Sequence, residues 1–113
     1  MNSNLENPSR AEFFSIFSAR FDADLIDITD KRALENGIRA CAFDTLQRVE
    51  DVQAVVFYLE RILENWNGQN IAPFIEATNL DWLFDDQTEQ SLRFIIQAIT
   101  WDLWSSGALH PSP

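Results

Sequence analysis

Apolar residues recur at intervals of three and four along most of this chain, and this spacing limits the fold more than any other feature. When successive residues are placed about 100° apart, the segment around FIIQAITWDLW gives one tight apolar stripe: Leu92, Ile95, Ile96, Ile99 and Leu103. Only three glycines occur in 113 residues, too few for the many tight turns of an all-β fold. The sequence therefore predicts an all-α protein.

Capping signals divide the first half of the chain into helices. Ser9 and Glu12 form a capping-box pattern, which predicts a first helix over about 10–20. Thr29 or Asp30 can cap a second helix that ends near Arg48. The stripe of this helix is expected to face the core: Leu34, Ile38, Cys41, Thr45 and Val49.

A third helix is expected from near Asp51 to the pair Asn67-Gly68, which is typical of a C-terminal cap. Pro73 suits the first turn of a short fourth helix over about 73–78. The prediction is thus four main helices plus one short helix.

The last helix is expected to begin with a second capping box, Asp86 and Glu89, in which Gln87 is the first helical residue. Gly107 is expected to end it. Because the loops are short, neighbouring helices should be antiparallel and form a small bundle.

The predicted domain organisation is one helical domain over residues 9–107, between an N-terminal tail, 1–8, and a C-terminal tail, 108–113. A chain of this length suits a single core. Cys41 is the only cysteine, so an intrachain disulfide is excluded and a reducing cytoplasm is the simplest location. No apolar run approaches the roughly 20 residues of a membrane span, and the polar N-terminus does not look like a signal peptide.

Residues with catalytic or metal-binding chemistry are few. The one histidine, His110, lies in the proline-flanked tail, and Cys41 lies on a core stripe, where a thiol stays protonated. One acidic cluster stands out, namely Asp81, Asp85, Asp86 and Glu89. Its spacing matches no calcium-binding loop, and helix capping explains its last two members. We expect no enzyme activity, no metal and no cofactor.

The net charge of −10 comes from 18 acidic against 8 basic residues. Phosphate contacts need clustered lysine and arginine, so direct binding to nucleic acid is not expected. The charge permits a basic protein partner or mimicry of nucleic acid. Solubility alone would also explain it.

Aromatic residues off the apolar stripes are the strongest functional signal. Phe94 and Trp101 lie opposite the stripe of the last helix, and Trp104 follows one turn later. Phe43 and Phe57 lie off the stripes of the second and third helices. A central helix could be buried on every side, but not every helix of a small bundle can be central. Some of these aromatics should therefore form an interaction surface.

Two groups of aromatics are assigned to such surfaces as hypotheses. The last helix and the segment before it are expected to bind a partner through Phe94, Trp101, Trp104, Trp82 and Phe84. Trp82 and Phe84 could equally be core residues under a loop. The first helix is apolar over a broad sector and is expected to form a homodimer through Phe13, Phe14, Phe17 and Phe21.

The whole chain, from MNSNLENPSRAEFFSIFSARFD to FIIQAITWDLWSSGALHPSP, resembles the small QslA-type antiactivators of quorum sensing. The resemblance covers the full length and carries no residue-by-residue contacts. It implies an all-helical homodimer that binds the ligand-binding domain of LasR, a LuxR-type transcription factor that answers an acyl-homoserine lactone. By occupying the surface through which the receptor dimerises, such a protein would keep the receptor from DNA.

Two other classes of binding protein stay open at this point. A small, acidic, helical chain also fits an immunity-type protein that neutralises a basic toxin, and such binding should depend strongly on salt. A nucleic-acid mimic would need carboxylates in a regular row along one face. The acids here are scattered, so this class ranks last.

Overall fold

The computed structural model describes residues 8–21, 27, 29–80 and 86–106, and the regular structure in these ranges is entirely helical. The described helices are α1 (Pro8–Phe21), α2 (Lys31–Arg48), α3 (Val52–Glu64), α4 (Gly68–Thr78) and α5 (Asp86–Ser105). This confirms the all-α prediction. None of these helices is long and apolar enough to cross a membrane.

The helices pack as a small bundle in which α2 and α3 each contact both α1 and α5. α1 packs against α2, α3 and α4, whereas α5 packs against α2 and α3. The core between them takes buried apolar side chains from every helix. The side of α5 opposite its buried stripe faces outward.

The α1 side of the core is a cluster of aromatic rings. Phe17 lies 4.6 Å from Phe21 and 5.0 Å from Phe74 of α4, measured between ring centroids. Phe13 lies 6.0 Å from Phe17. Phe13, Phe17, Phe21 and Phe74 are each at most 1% exposed, so they hold α1 and α4 to the rest of the bundle.

The predicted N-cap at Asp30 is confirmed, and Asp51, near which the third helix was expected to begin, caps α3. The Asp30 carboxylate accepts hydrogen bonds from the backbone N–H groups of Arg32 and Ala33, at 3.0 and 3.2 Å. The Asp51 carboxylate accepts one from Ala54 N–H at 3.1 Å. Every residue predicted for the α2 stripe is buried, from Leu34 to Val49.

The predicted capping box at Ser9 and Glu12 is wrong. α1 begins at Pro8, so Ser9 lies inside the helix. Proline fits the first helical position because it lacks the N–H that would have no helical partner there. The Ser9 hydroxyl oxygen instead accepts a hydrogen bond from the backbone N–H of Asp51, at 3.0 Å.

The boundary between α3 and α4 also differs from the prediction. α3 ends at Glu64, and Asn67 caps α4 by accepting a hydrogen bond from Asn70 N–H at 2.9 Å. The Asn67-Gly68 pair is therefore the start of a helix, since the extended backbone of Asn67 is that of an N-cap. α4 has 11 residues, with Pro73 inside it instead of in its first turn.

The last helix begins at Asp86, one residue before the predicted start, so Asp86 is not its N-cap. The residue that precedes it lies outside the described residues, as does Gly107. α5 runs to Ser105.

Candidate protein-interaction surface

Three aromatic side chains of α5 point away from its buried stripe. Phe94 is 49% exposed, Trp101 70% and Trp104 36%, whereas the residues of the stripe are fully buried. We call these three side chains the α5 aromatic face. The alternative of a central helix buried on every side is therefore wrong for α5, because its outward side meets solvent.

The outward side of α5 is also almost free of charge. Between residues 87 and 106, all of which are described, the exposed residues are Gln87, Gln90, Arg93, Phe94, Gln97, Trp101, Trp104, Ser105 and Ser106. Arg93 is the one charged residue in this set, on a protein with a net charge of −10. Exposed aromatics combined with depletion of charge are typical of the core of a protein–protein interface.

A groove of about 460 Å³ lies beside this face, between α3 and α5. Most of its lining comes from Leu63 and Glu60 of α3 and from Gln97, Thr100, Trp101 and Trp104 of α5. The indole N–H of Trp104 donates a hydrogen bond to Oε2 of Glu60 at 2.9 Å. This bond fixes one wall of the groove by joining the two helices.

The hydroxyl groups of the groove are used within α5 itself. Thr100 Oγ1 donates to the Ile96 carbonyl oxygen at 2.7 Å, and Ser105 Oγ donates to the Trp101 carbonyl oxygen at 2.8 Å. The groove therefore presents indole rings and an aliphatic floor, with Glu60 as its one charged lining residue among those described.

Phe43 and Phe57 are exposed as the off-stripe pattern predicts. Phe43 of α2 is 61% exposed and Phe57 of α3 is 52% exposed. Neither side chain lines the α3–α5 groove. They are separate single aromatics on other helices.

Three of the four predicted homodimer residues of α1 are not at the surface. Phe13, Phe17 and Phe21 belong to the core of the monomer, and in this conformation they are too buried to contact a second copy. Phe14 is half-buried, with its ring centroid 5.5 Å from that of Tyr58. The packing of α1 against three helices explains its broad apolar sector, so the dimer assignment is wrong for Phe13, Phe17 and Phe21, whereas that of Phe14 stays a prediction.

Trp82 and Phe84 lie outside the described residues, so their assignment to the partner surface stays a prediction. Asp81, Asp85, the side chain of Asp86 and His110 also lie outside the described residues. Glu89 is half-buried in α5. Among the described residues no group of three or more histidine, cysteine, aspartate or glutamate side chains could hold a metal ion.

The Cys41 thiol is fully buried in α2. Burial raises its pKa from 9.0 to about 12, since a thiolate would lose its hydration there. A thiol of this kind stays protonated and unreactive near neutral pH. Burial also raises the pKa of the Tyr58 hydroxyl, against a smaller opposing effect of Arg10.

Glu60 and Leu63 were missed by reasoning from sequence. Leu63 is one of the apolar residues that recur at intervals of three and four along α3, and Glu60 looks like an ordinary solvated acid near it. Their role depends on how α3 packs against α5, which no local sequence pattern specifies.

Comparison with known protein families, curated proteins and solved structures gave no match.

Proposed function

We propose that this protein is an antiactivator that binds the ligand-binding domain of a LuxR-type transcription factor such as LasR through the α5 aromatic face. The observation that carries the proposal is the exposure of Phe94, Trp101 and Trp104 on a helix side that is nearly free of charge. Aromatic anchors in such surroundings supply most of the binding energy of protein interfaces. The resemblance of the full sequence to quorum-sensing antiactivators supplies the class of partner.

The mechanism follows from competition for one surface. A receptor that binds DNA as a dimer must bury an apolar surface in its own interface. An inhibitor that covers this surface on the monomer shifts the equilibrium away from the receptor dimer by mass action. Such an inhibitor needs apolar anchors of matching shape and no catalytic group.

The test is size-exclusion chromatography with light scattering, on the protein alone and mixed with the lactone-bound ligand-binding domain of LasR. We expect a new complex and loss of the receptor dimer. The double variant Phe94→Ala/Trp101→Ala should weaken complex formation by at least about tenfold, since each residue is an exposed aromatic anchor.

Phe43→Ala is the matched control, because Phe43 is as exposed as these residues but lies on α2. It should bind like the wild type if α5 is the contact surface. Two unchanged peaks with wild-type protein would remove the antiactivator proposal. Equal losses in the control and the double variant would remove the assignment to α5.

Self-association stays a prediction of the resemblance, and the same light-scattering run measures it. Since Phe13, Phe17 and Phe21 are buried, a homodimer needs other contact residues, and Phe57 is an exposed candidate. A dimer that dissociates in Phe57→Ala, with helicity unchanged, would support this assignment.

An immunity-type protein that neutralises a basic toxin is the second candidate. The net charge of −10 favours it, since it would attract a basic partner. Its contact should run through acidic side chains and not through the uncharged α5 face.

A further inference from the structure

From the geometry of the α3–α5 groove we infer that it is the receiving site for an arginine side chain of the protein partner. This deepens the proposed function by naming the residue type that the partner must present. Three features of the molecule support it: the indole rings of the groove, its one carboxylate, and an arginine–tryptophan contact between α5 and the segment after α3.

The rings of the groove suit the flat face of a guanidinium group. Trp101 is 70% exposed and Trp104 is 36% exposed, and both line the groove. Tryptophan is the best aromatic partner for a cation, and arginine stacks on it more often than lysine does. Leu63 offers an apolar surface to the methylene groups that precede the guanidinium.

Glu60 places a carboxylate in the groove, which favours a cationic ligand over a purely apolar one. Its Oε2 accepts the indole N–H of Trp104, and its Oε1 has no further hydrogen bond or ion pair within the described residues. A carboxylate held in place beside two indole rings can accept hydrogen bonds from the guanidinium fork. The net charge of −10 adds a general attraction for a cationic group.

The same pair of helices already brings an arginine over a tryptophan. Arg93 of α5 places its guanidinium carbon 5.7 Å from the ring centroid of Trp66, which follows α3. The packing of α3 and α5 thus accommodates this type of contact three residues along the chain from Leu63 and four from Gln97, which both line the groove. Neither Arg93 nor Trp66 lines the groove itself.

The probe that tests this is N-acetyl-arginine amide, compared with N-acetyl-citrulline amide, which has nearly the same shape without the charge. Binding is followed by the indole N–H signal of Trp104 in ¹⁵N–¹H spectra of the full chain, assigned with Trp104→Phe. We expect the arginine amide to bind about three- to fivefold more tightly than the citrulline amide, since a cation–ring contact and an exposed ion pair each contribute modestly.

Glu60→Gln keeps an acceptor for Trp104 and removes the charge, so it should abolish the preference for arginine. Glu64→Gln is the matched control, because Glu64 is an exposed residue of the same helix that does not line the groove. It removes the same charge and should keep the preference. No preference in the wild type, or equal losses in both variants, would overturn the inference.

The failure of this inference and that of the proposed function can be told apart. A wild-type complex with the receptor domain that tolerates Glu60→Gln without loss of affinity would leave the function standing and remove the arginine site. An intact arginine preference with no receptor complex would keep the site and remove that partner.

Discussion

The hydroxyl oxygen of Ser9, in the first turn of α1, accepts a hydrogen bond at 3.0 Å from the backbone N–H of Asp51, the N-cap of α3. Ser9 is buried, with 8% of its surface exposed. The bond ties the start of one helix to the start of another that is 42 residues away. The Asp51 carboxylate accepts a hydrogen bond from Ala54 N–H, so Asp51 contacts the start of α1 through its backbone and caps α3 through its side chain.

Ser9→Ala should lower the free energy of unfolding by about 1–2 kcal/mol, because it leaves the Asp51 N–H without its acceptor in a partly buried place. Urea unfolding followed by circular dichroism measures this. Ser15→Ala is the control, since Ser15 is an exposed serine on the same helix, and it should change stability by less than about 0.5 kcal/mol. Equal effects of the two changes would show that the hydrogen bond contributes nothing.

Phe17→Ala should be among the most destabilising single changes in the chain. Phe17 is fully buried and its ring lies within 5.0 Å of that of Phe74 and 4.6 Å of that of Phe21, measured between centroids. Removing it leaves a cavity and should cost about 3–5 kcal/mol of unfolding free energy. Phe43→Ala removes an exposed ring and should cost less than about 1 kcal/mol.

The same pair of variants distinguishes a core residue from a dimer contact. If Phe17 were an interface residue, Phe17→Ala would give a folded monomer with unchanged helicity and little loss of stability. Light scattering at matched concentration, combined with urea unfolding, separates this result from global destabilisation.

The fold was largely predictable because its information is local. The apolar stripes of α2 and α5 and the cap at Asp30 are each specified by a short segment, and the structure confirms them. The predicted helix boundaries are wrong where one short sequence signal is compatible with two structures. Asn-Gly can end a helix or cap the next one, and the choice at Asn67 depends on how the chain turns after α3.

The candidate site was predictable only in part, for the same reason. The off-stripe positions of Phe94 and Trp101 foretold their exposure, because a helix bundle buries one side of each outer helix. The pattern could not distinguish a helix with three packed neighbours from one with a free apolar side. The broad apolar sector of α1 therefore does not by itself indicate a dimer surface, since α2, α3 and α4 pack against this helix.

Cys41 should make stability depend on alkaline pH. Burial raises the pKa of the folded-state thiol to about 12, above its ordinary value of 9.0. The folded state therefore holds the proton more tightly. Its stabilising contribution is complete below pH 9 and is lost as the pH rises towards 12.

The comparison that isolates this effect is wild type against Cys41→Ala, since the other titrating groups, Tyr58 among them, are common to both. The advantage of the wild type in unfolding free energy should shrink by about 1.6 kcal/mol between about pH 9 and 10.5, as the slope approaches about 1.4 kcal/mol per pH unit. Urea unfolding at both pH values measures it. A constant difference would mean that Cys41 ionises equally in both states.

Salt dependence should separate an antiactivator from an immunity-type protein. If binding is anchored by Phe94, Trp101 and Trp104, raising sodium chloride from about 50 to 500 mM should weaken receptor binding by less than about fivefold, because screening affects apolar contacts little. A partner held by the acidic surface should lose about a hundredfold over the same range, since its encounter rate depends on long-range attraction. Isothermal titration calorimetry of the receptor domain at both salt concentrations gives the ratio. If the affinity of the wild type falls strongly with salt, and Phe94→Ala/Trp101→Ala shows the same fall, the contact lies on the acidic surface instead of on α5.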